Sequence, residues 1–270
     1  MTQTTIATLT QHYQPEEMLD SFAYMNALLW LTSERQQAIV HYWQLPQTVI
    51  LGLLDQKLPQ LDAGLAQLKQ AGYQTLLRNS GGLAVVADLG VLNVSLFLPA
   101  HRSDYSITAA YQLMADYVQA VWPNLNLTTG EISQSYCPGD YDLSLNGQKI
   151  AGMSQRRTES ALVIMLYISI NGNQDQRSQL IRHFYQTSLA GQTDDRFPKV
   201  DPAVMTTVAD QLGAVLTVDT AIARFNHVLT QHGTLDQQVL PKLIEEPEFQ
   251  AHLAAAYRQM QRRQARLTTH

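Results

Sequence analysis

Residues 141–151 read Tyr-Asp-Leu-Ser-Leu-Asn-Gly-Gln-Lys-Ile-Ala, and this stretch decides the class of fold. Residues 141–145 alternate between polar and apolar side chains, which is typical of a strand with one buried face. Asn146-Gly147 is the strongest two-residue signal for a β-hairpin turn, and a second strand-like run follows it. Because strands joined by a tight turn are antiparallel, the sequence predicts a largely antiparallel or mixed sheet.

Helix and strand patterns alternate before and after this hairpin. Three helices are predicted: from Pro15-Glu16-Glu17 to Trp30, from Leu61 to Ala71 with Gly72 closing it, and from a cap at Ser103 or Asp104 to Trp122. The other predicted strands form a hairpin of Ala38–Trp43 and Thr48–Leu53, a strand Tyr73–Leu77, a hairpin of Leu83–Ala87 and Val91–Leu98, and a buried strand Ala161–Ile170. This order predicts an α+β (mixed α/β) fold with helices flanking the sheets.

The domain organisation follows from where the strand patterns stop. Residues 1–172 are expected to form the core domain, and residues 173–270 a mostly helical portion packed on it. Breaks in the helical pattern are expected at Pro198, Pro202, Gly213 and Pro241. The basic stretch 258–266 suits either a solvated helix end or a surface for an acidic carrier domain.

Composition excludes several functional classes. The 270 residues carry a formal net charge of −5, which argues against nucleic acid as a partner because phosphate binding needs a basic face. The single cysteine excludes an internal disulfide, and residues 2–5 do not resemble a secretory signal. The longest apolar run, Ala161–Ile170, is about half the roughly 20 residues of a membrane span. A cytoplasmic protein without membrane contact is expected.

The first candidate for chemistry is the segment Arg78-Asn79-Ser80-Gly81-Gly82-Leu83-Ala84 between two predicted strands. Adjacent glycines let a backbone approach a ligand closely and leave N–H groups free to bind an oxygen. The alternative is a tight turn that needs only a positive φ.

The second candidate is Cys137, within Ser-Tyr-Cys-Pro-Gly-Asp-Tyr-Asp at 135–142. A lone cysteine is commonly an inert, buried small side chain. This one is flanked by proline, glycine and aspartate, as in a loop where a thiol can be reached. Lys149 follows on the return strand of the hairpin, roughly opposite residues 142–144. There it would favour a thiolate and could hold an acyl carbonyl, unless it is only a solvated strand lysine.

Taken in order, these segments resemble the lipoate-protein ligase and lipoyl/octanoyl transferase superfamily, which shares its catalytic fold with biotin-protein ligase. The resemblance covers about residues 20 to 170. The family loop Arg-Arg-x-Ser/Thr-Gly-Gly-x-Ala-Val matches residues 78–85, with Asn79 in place of the second arginine. The family's lysine motif, Lys-Ile-x-Gly-x-x-Gln after a glycine turn, matches residues 147–155. The Cys137 segment is similar to the amidotransferases that move an octanoyl group from the glycine cleavage H protein to lipoyl domains.

The resemblance implies a role for each matching residue. Cys137 would be the nucleophile of a thioester acyl-enzyme, and Lys149 would orient the acyl carbonyl. The implied substrate-binding residues, which include oxyanion donors, are Arg78, Ser80, Gly81, Gly82, Ala84 and Gly152. The implied partners are the octanoylated or lipoylated H protein and the lipoyl domains of 2-oxoacid dehydrogenase E2 subunits. No metal or cofactor is expected.

Three other functions stay open at this point. An ATP-dependent lipoate ligase would form an acyl adenylate without Cys137, but ligases tend to carry His-Asp where this chain has Ala87-Asp88. A related transferase would take octanoate from acyl carrier protein, and its thioester chemistry would be nearly identical. A protein that sequesters lipoyl domains or acyl groups would not need both a placed cysteine and a placed lysine.

Overall fold

The computed structural model describes residues 5–101 and 103–267, in which eleven strands and eight α-helices form. The strands are β1 (Thr5–His12), β2 (Ala38–Gln44), β3 (Thr48–Leu51), β4 (Gln74–Leu77), β5 (Val85–Ala87), β6 (Val91–Pro99), β7 (Thr128–Thr129), β8 (Leu143–Leu145), β9 (Gln148–Arg157), β10 (Ala161–Ser169) and β11 (Thr234–Asp236). The helices are α1 (Met18–Arg35), α2 (Leu61–Gln70), α3 (Ile107–Val121), α4 (Gln174–Leu189), α5 (Val208–Leu212), α6 (Val218–Leu229), α7 (Val239–Glu245) and α8 (Pro247–Gln264).

The strands form two sheets. The larger has the order β11-β1-β2-β6-β10-β9-β8-β7, and the smaller has the order β4-β3-β5. Parallel pairs join β1 to β2 and β11, and β3 to β4, whereas the other pairs are antiparallel. The predicted mixed α/β fold is therefore confirmed.

The turn at residues 146–147 is confirmed as a two-residue hairpin between β8 and β9. Asn146 and Gly147 have φ values of 51° and 77°, and Leu145 pairs with Gln148 across the turn. Two successive positive φ values are those of a type I′ turn, whose twist matches that of the flanking strands. The hairpin fixes Lys149 opposite Ser144.

Both other predicted hairpins are wrong. β2 pairs with β1 and β6 in the large sheet, whereas β3 pairs with β4 and β5 in the small one. Likewise β5 belongs to the small sheet and β6 to the large one. The short connections at residues 45–47 and 88–90 therefore cross between sheets. All residues of β2 and β3 are buried, so their patterns carry no information about which strand is the neighbour.

The predicted helices are confirmed, with differences in detail. The first helix begins at Met18, after a 3-10 turn at Pro15–Glu17, and ends at Arg35 instead of Trp30. Ser106, rather than Ser103 or Asp104, caps α3, because its hydroxyl accepts a hydrogen bond from the Ala109 N–H at 3.0 Å. Pro241 lies in the first turn of α7 instead of breaking a helix, at a position where its missing N–H costs no hydrogen bond.

The chain after residue 172 is mostly helical and packs against the preceding part. β11 extends the large sheet beside β1, α8 packs along α1, and α6 packs on α3. A domain boundary at residue 172 stays a prediction. In the described part of the chain, no helix has the length and apolar character needed to cross a membrane.

Apolar side chains cover both faces of the large sheet. Ile39 and Trp43 of β2 belong to one buried cluster, and Val40 and Tyr42 to the other, as the two-residue period of a strand requires. The small sheet and helices α1, α4 and α8 contribute to the first cluster, and α3 and α6 to the second. A cavity lined by Phe22, Trp43 and Ile50 opens on the first face.

Candidate active site

A cavity of about 200 Å³ lies between the two sheets. Its walls are mostly apolar, and the thiol of Cys137 and the guanidinium of Arg78 belong to its lining. The lining residues are Phe22, Trp43, Ile50, Arg78, Ser80, Gly81, Gly82, Val85, Asn93, Ser95, Cys137, Pro138, Gly139, Asp142, Gly152, Met153, Ser154, Met165, Leu166 and Tyr167. A concave apolar site with a few polar groups is the usual form of a small-molecule pocket.

Cys137 lies in the loop between β7 and β8, half-buried at the cavity wall. Its φ is 48°, a left-handed conformation that residues other than glycine seldom adopt. Its Sγ accepts hydrogen bonds from the Leu83 N–H at 3.4 Å and from Arg78 Nη2 at 3.5 Å. A backbone N–H and a guanidinium thus contact the sulfur at the cavity wall, where a thiol can act as a nucleophile.

The glycine loop is the second wall of the site, since it connects β4 to β5 directly against the cysteine. Ser80, Gly81 and Gly82 all line the cavity. Gly82 has a φ of +94°, and a methyl group there would lie 2.0 Å from Arg78 Nη2 and 3.3 Å from Cys137 Sγ. A side chain at residue 82 would be strained by this positive φ and would displace the Arg78 guanidinium from the thiol.

Lys149 is completely buried and contacts the backbone of the cysteine loop. Its Nζ lies 2.8 Å from the Cys137 carbonyl oxygen and 3.1 Å from that of Tyr136. It also lies 2.9 Å from Asp142 Oδ2 and 3.2 Å from Ser135 Oγ. These four oxygen atoms engage every donor of the ammonium group. The structure thus brings Lys149 to the Cys137 loop, but not into the cavity lining.

Asp142 is a site residue that the sequence analysis missed. Its Oδ2 accepts hydrogen bonds from Lys149 and, at 3.2 Å, from the Gly139 N–H. Burial raises the pKa of this carboxyl, and the charge of Lys149 opposes the rise. Its position beside the predicted hairpin was the available signal, because residues that face each other across an antiparallel pair interact.

The two remaining predicted residues have different placements. Gly152 lines the cavity, where a methyl group would lie 2.7 Å from Cε1 of Tyr167, so glycine leaves room for that ring. Ala84 is buried behind the glycine loop, outside the cavity lining, and its N–H donates to the Tyr185 hydroxyl at 2.9 Å. β6 contributes the polar residues Asn93 and Ser95 to the lining, whereas Trp43 of β2 and Met165 and Leu166 of β10 are apolar. The apolar lining residues carried no local sequence signal, because they lie within mostly buried strands.

Known proteins are similar to this chain in sequence and in fold. The chain is 39% identical over 251 residues to the octanoyl-[GcvH]:protein N-octanoyltransferase of Anoxybacillus flavithermus, covering 92% of this chain and 90% of the relative. It is 39% identical over 224 residues to the lipoyl-[GcvH]:protein N-lipoyltransferase of Listeria monocytogenes, covering 81% of each. The fold is similar to that of lipoate-protein ligase A bound with ATP, with a TM-score of 0.71 at 17% identity over 94% of both chains. It is also similar to an archaeal bi-partite lipoate protein ligase of Thermoplasma acidophilum, with a TM-score of 0.65 at 17% identity over 95% and 92% of the two chains.

The fold, two β-sheets around an apolar cavity, is thus similar to that of the lipoate-protein ligases. The model of the family described as "Lipoyl protein ligase A/B catalytic domain" matches residues 17–230. The chain belongs to this family, and the resemblance seen in its motifs is confirmed. The two relatives named above are acyltransferases.

Proposed function

We propose that the chain is an acyltransferase that moves an octanoyl or lipoyl group from the lysine of the glycine cleavage H protein to lysines of E2 lipoyl domains. The position of Cys137 supports this proposal most directly. Its thiol lies at the wall of an apolar cavity and accepts hydrogen bonds from a backbone N–H and a guanidinium. The relatives' names support the H protein as donor. Lipoyl domains as acceptors follow from the motif resemblance.

The reaction proceeds in two steps, formation of a thioester on Cys137 and its attack by the acceptor lysine. The Cys137 thiolate attacks the carbonyl carbon of the acyl-lysine amide, and the C–N bond breaks as the carrier amine takes up a proton. A lysine amine of the second carrier then attacks the thioester, loses its proton and regenerates the thiolate. One amide is broken and one amide of the same kind is formed, so the overall exchange requires no ATP.

The glycine loop is suited to hold the developing oxyanion. In residues 5–101 and 103–267, the N–H groups of Gly81 and Gly82 donate to no protein acceptor, and both residues line the cavity. Fixed backbone donors directed at a developing negative charge are the usual basis of oxyanion stabilisation. Arg78, 3.5 Å from the sulfur, adds a positive charge at the same position.

Lys149 acts through the cysteine loop in this mechanism. Its ammonium is bound to the Cys137 and Tyr136 carbonyl groups and to Asp142, so a bond to the acyl carbonyl would require it to leave one of these partners. We therefore assign it the role of holding the loop in the left-handed conformation that presents Sγ to the cavity.

The cavity suits an aliphatic chain. Phe22, Trp43, Ile50, Val85 and Met165 supply apolar surface. Each buried methylene contributes about 0.8 kcal/mol, or roughly a fourfold change in affinity. An acyl chain shortened by several carbons would therefore bind far more weakly.

A transfer assay with defined carriers tests the proposal. Octanoylated H protein is mixed with an unmodified E2 lipoyl domain in the absence of nucleotide, and the lipoyl domain is followed by mass spectrometry. Appearance of the octanoyl group on the lipoyl domain is expected. Strict dependence on ATP with release of pyrophosphate would identify a ligase, and transfer from octanoyl-acyl carrier protein alone would identify a different donor.

A further inference from the structure

Asp55 is a buried carboxyl group outside the cavity that the proposed chemistry does not use. It lies in a short 3-10 helix, Leu53–Lys57, directly after β3, and it has no solvent exposure. We propose that Asp55 and Tyr185 are positioning residues that hold the glycine loop in place, so that the Leu83 N–H contacts Cys137 Sγ. This inference rests on the proposed role of Cys137.

One bond of Asp55 fixes the residue against which the loop packs. Asp55 Oδ2 accepts a hydrogen bond from the Gly52 N–H at 2.8 Å. A methyl group at Gly52 would lie 1.8 Å from the Gly82 carbonyl oxygen, so the backbones of these two glycines are in direct contact. By fixing Gly52, the carboxyl group therefore fixes the start of the segment 82–84.

The other bond of Asp55 reaches the end of the same segment through Tyr185 of α4. The Tyr185 hydroxyl donates to Asp55 Oδ1 at 2.9 Å and accepts from the Ala84 N–H at 2.9 Å. A tyrosine hydroxyl has one proton, so the bond to Asp55 orients its lone pairs toward Ala84. Gly82 and Ala84 are thus both restrained, and Leu83 between them donates to the cysteine sulfur at 3.4 Å.

The polar chemistry of Asp55 and Tyr185 suits residues that position the glycine loop better than residues that only pack α4 against the small sheet. Apolar side chains could join α4 to the small sheet without the cost of a buried acid, whereas hydrogen bonds fix direction and distance. Burial raises the pKa of Asp55 to about 7, while the bonds from Gly52 and Tyr185 and the charge of Arg78 oppose the rise. Burial also raises the pKa of Tyr185, and the charges of Asp55 and Cys137 add to the rise. The hydroxyl therefore stays protonated and donating.

The test removes one hydroxyl at a time from the full-length protein. Tyr185→Phe keeps the ring and its packing on Phe184 and Phe197 but frees the Ala84 N–H. The matched control is Tyr117→Phe, which removes a buried hydroxyl that donates to the Phe225 carbonyl oxygen at 2.9 Å in the other apolar cluster. Both variants are compared with wild type for urea unfolding and for single-turnover acyl-enzyme formation from octanoylated H protein.

The inference predicts a change in rate that stability does not explain. Tyr185→Phe should slow acyl-enzyme formation about tenfold at saturating donor, the effect of one hydrogen bond, with the donor concentration for half-maximal rate unchanged. Tyr117→Phe should lose a similar amount of unfolding free energy, but it should form the acyl-enzyme at the wild-type rate. Asp55→Asn combined with Tyr185→Phe should be no slower than the worse single variant, because both act through one network. A wild-type rate in Tyr185→Phe, or an equal loss in Tyr117→Phe, would overturn the inference.

A second readout separates this inference from the proposed function. The rate of Cys137 alkylation by iodoacetamide is measured against pH in wild type and Tyr185→Phe, with no carrier present. A profile displaced to higher pH in the variant supports the positioning role, since a misplaced Leu83 N–H stabilises the thiolate less. If wild type forms no acyl-enzyme, the transfer proposal fails, and an unchanged alkylation profile then overturns the inference independently.

Discussion

Lys149 and Asp142 form an ion pair that is almost completely removed from solvent, with side-chain exposures of 0% and 3%. Breaking a buried pair by removing one partner typically costs about 3–5 kcal/mol, because the other charge is left without compensation. Lys149→Ala should therefore lower both the free energy of unfolding and the transfer rate. Urea unfolding and the nucleotide-free transfer assay measure the two effects.

The double variant separates the pair's contribution to stability from its contribution to catalysis. Lys149→Ala with Asp142→Ala removes the uncompensated carboxylate, so part of the lost stability should return. Activity should stay low, because nothing then holds the Cys137 carbonyl group. Wild-type stability in Lys149→Ala would show that the ammonium does not fix the loop.

His41 of β2 gives a pH-dependent contribution to stability. It is completely buried, and its two ring nitrogens have no hydrogen-bond partner in the described part of the chain. Burial lowers its pKa from 6.5 to about 3. Between these values the unfolded chain binds a proton that the folded protein does not, so stability falls as the pH falls. From pH 7 to pH 5 the loss from this group is about 2 kcal/mol.

His41→Leu should remove that loss. The free energy of urea unfolding is measured at pH 7 and pH 5 for wild type, His41→Leu and His101→Gln, in which an exposed histidine is replaced. His101→Gln should keep the wild-type difference between the two pH values. The same difference in His41→Leu would mean that the buried imidazole is protonated in the folded protein.

At the scale of elements, the end of α8 protects an edge strand of the small sheet. Gln264 Oε1 accepts from the Leu77 N–H at 3.0 Å, and its Nε2 donates to the Thr75 carbonyl oxygen at 2.7 Å. Both backbone groups belong to β4, the edge strand that leads into Arg78. The C-terminal helix thereby satisfies groups that an unprotected edge would expose.

Gln264→Ala should uncover this edge. Loss of both bonds should cost about 1–3 kcal/mol and accelerate hydrogen exchange at the Leu77 amide, whereas Gln261→Ala at an exposed position should change neither. Hydrogen exchange followed by NMR makes the comparison. Unchanged protection of Leu77 would show that α8 is not needed at this edge.

For the whole molecule, features encoded within a few residues could be predicted from the sequence. Asn146-Gly147 specifies its turn through two positive φ values that few other dipeptides adopt. The glycine loop and the cysteine loop each carry a contiguous motif. The structure brings these two segments together, with Arg78 and Gly82 beside the sulfur atom of Cys137.

Features that depend on distant pairing could not be predicted. The neighbours of β2 and β3 are chosen by how two sheets pack, and a buried apolar strand has no pattern that identifies its partner. Tyr185 and Asp55 lie 130 positions apart in the chain and meet only after α4 packs on the small sheet. No sequence pattern around either residue indicates this hydrogen bond.

The thioester on Cys137 is tested most directly by intact-mass spectrometry. Wild type and Cys137→Ala are mixed with octanoylated H protein in the absence of ATP and of any acceptor, and quenched in acid. Wild type should gain the mass of one octanoyl group, which neutral hydroxylamine should remove as expected for a thioester, and Cys137→Ala should gain nothing. An adduct of the same mass on Cys137→Ala, or no adduct on wild type until ATP is added, would contradict covalent catalysis by this cysteine.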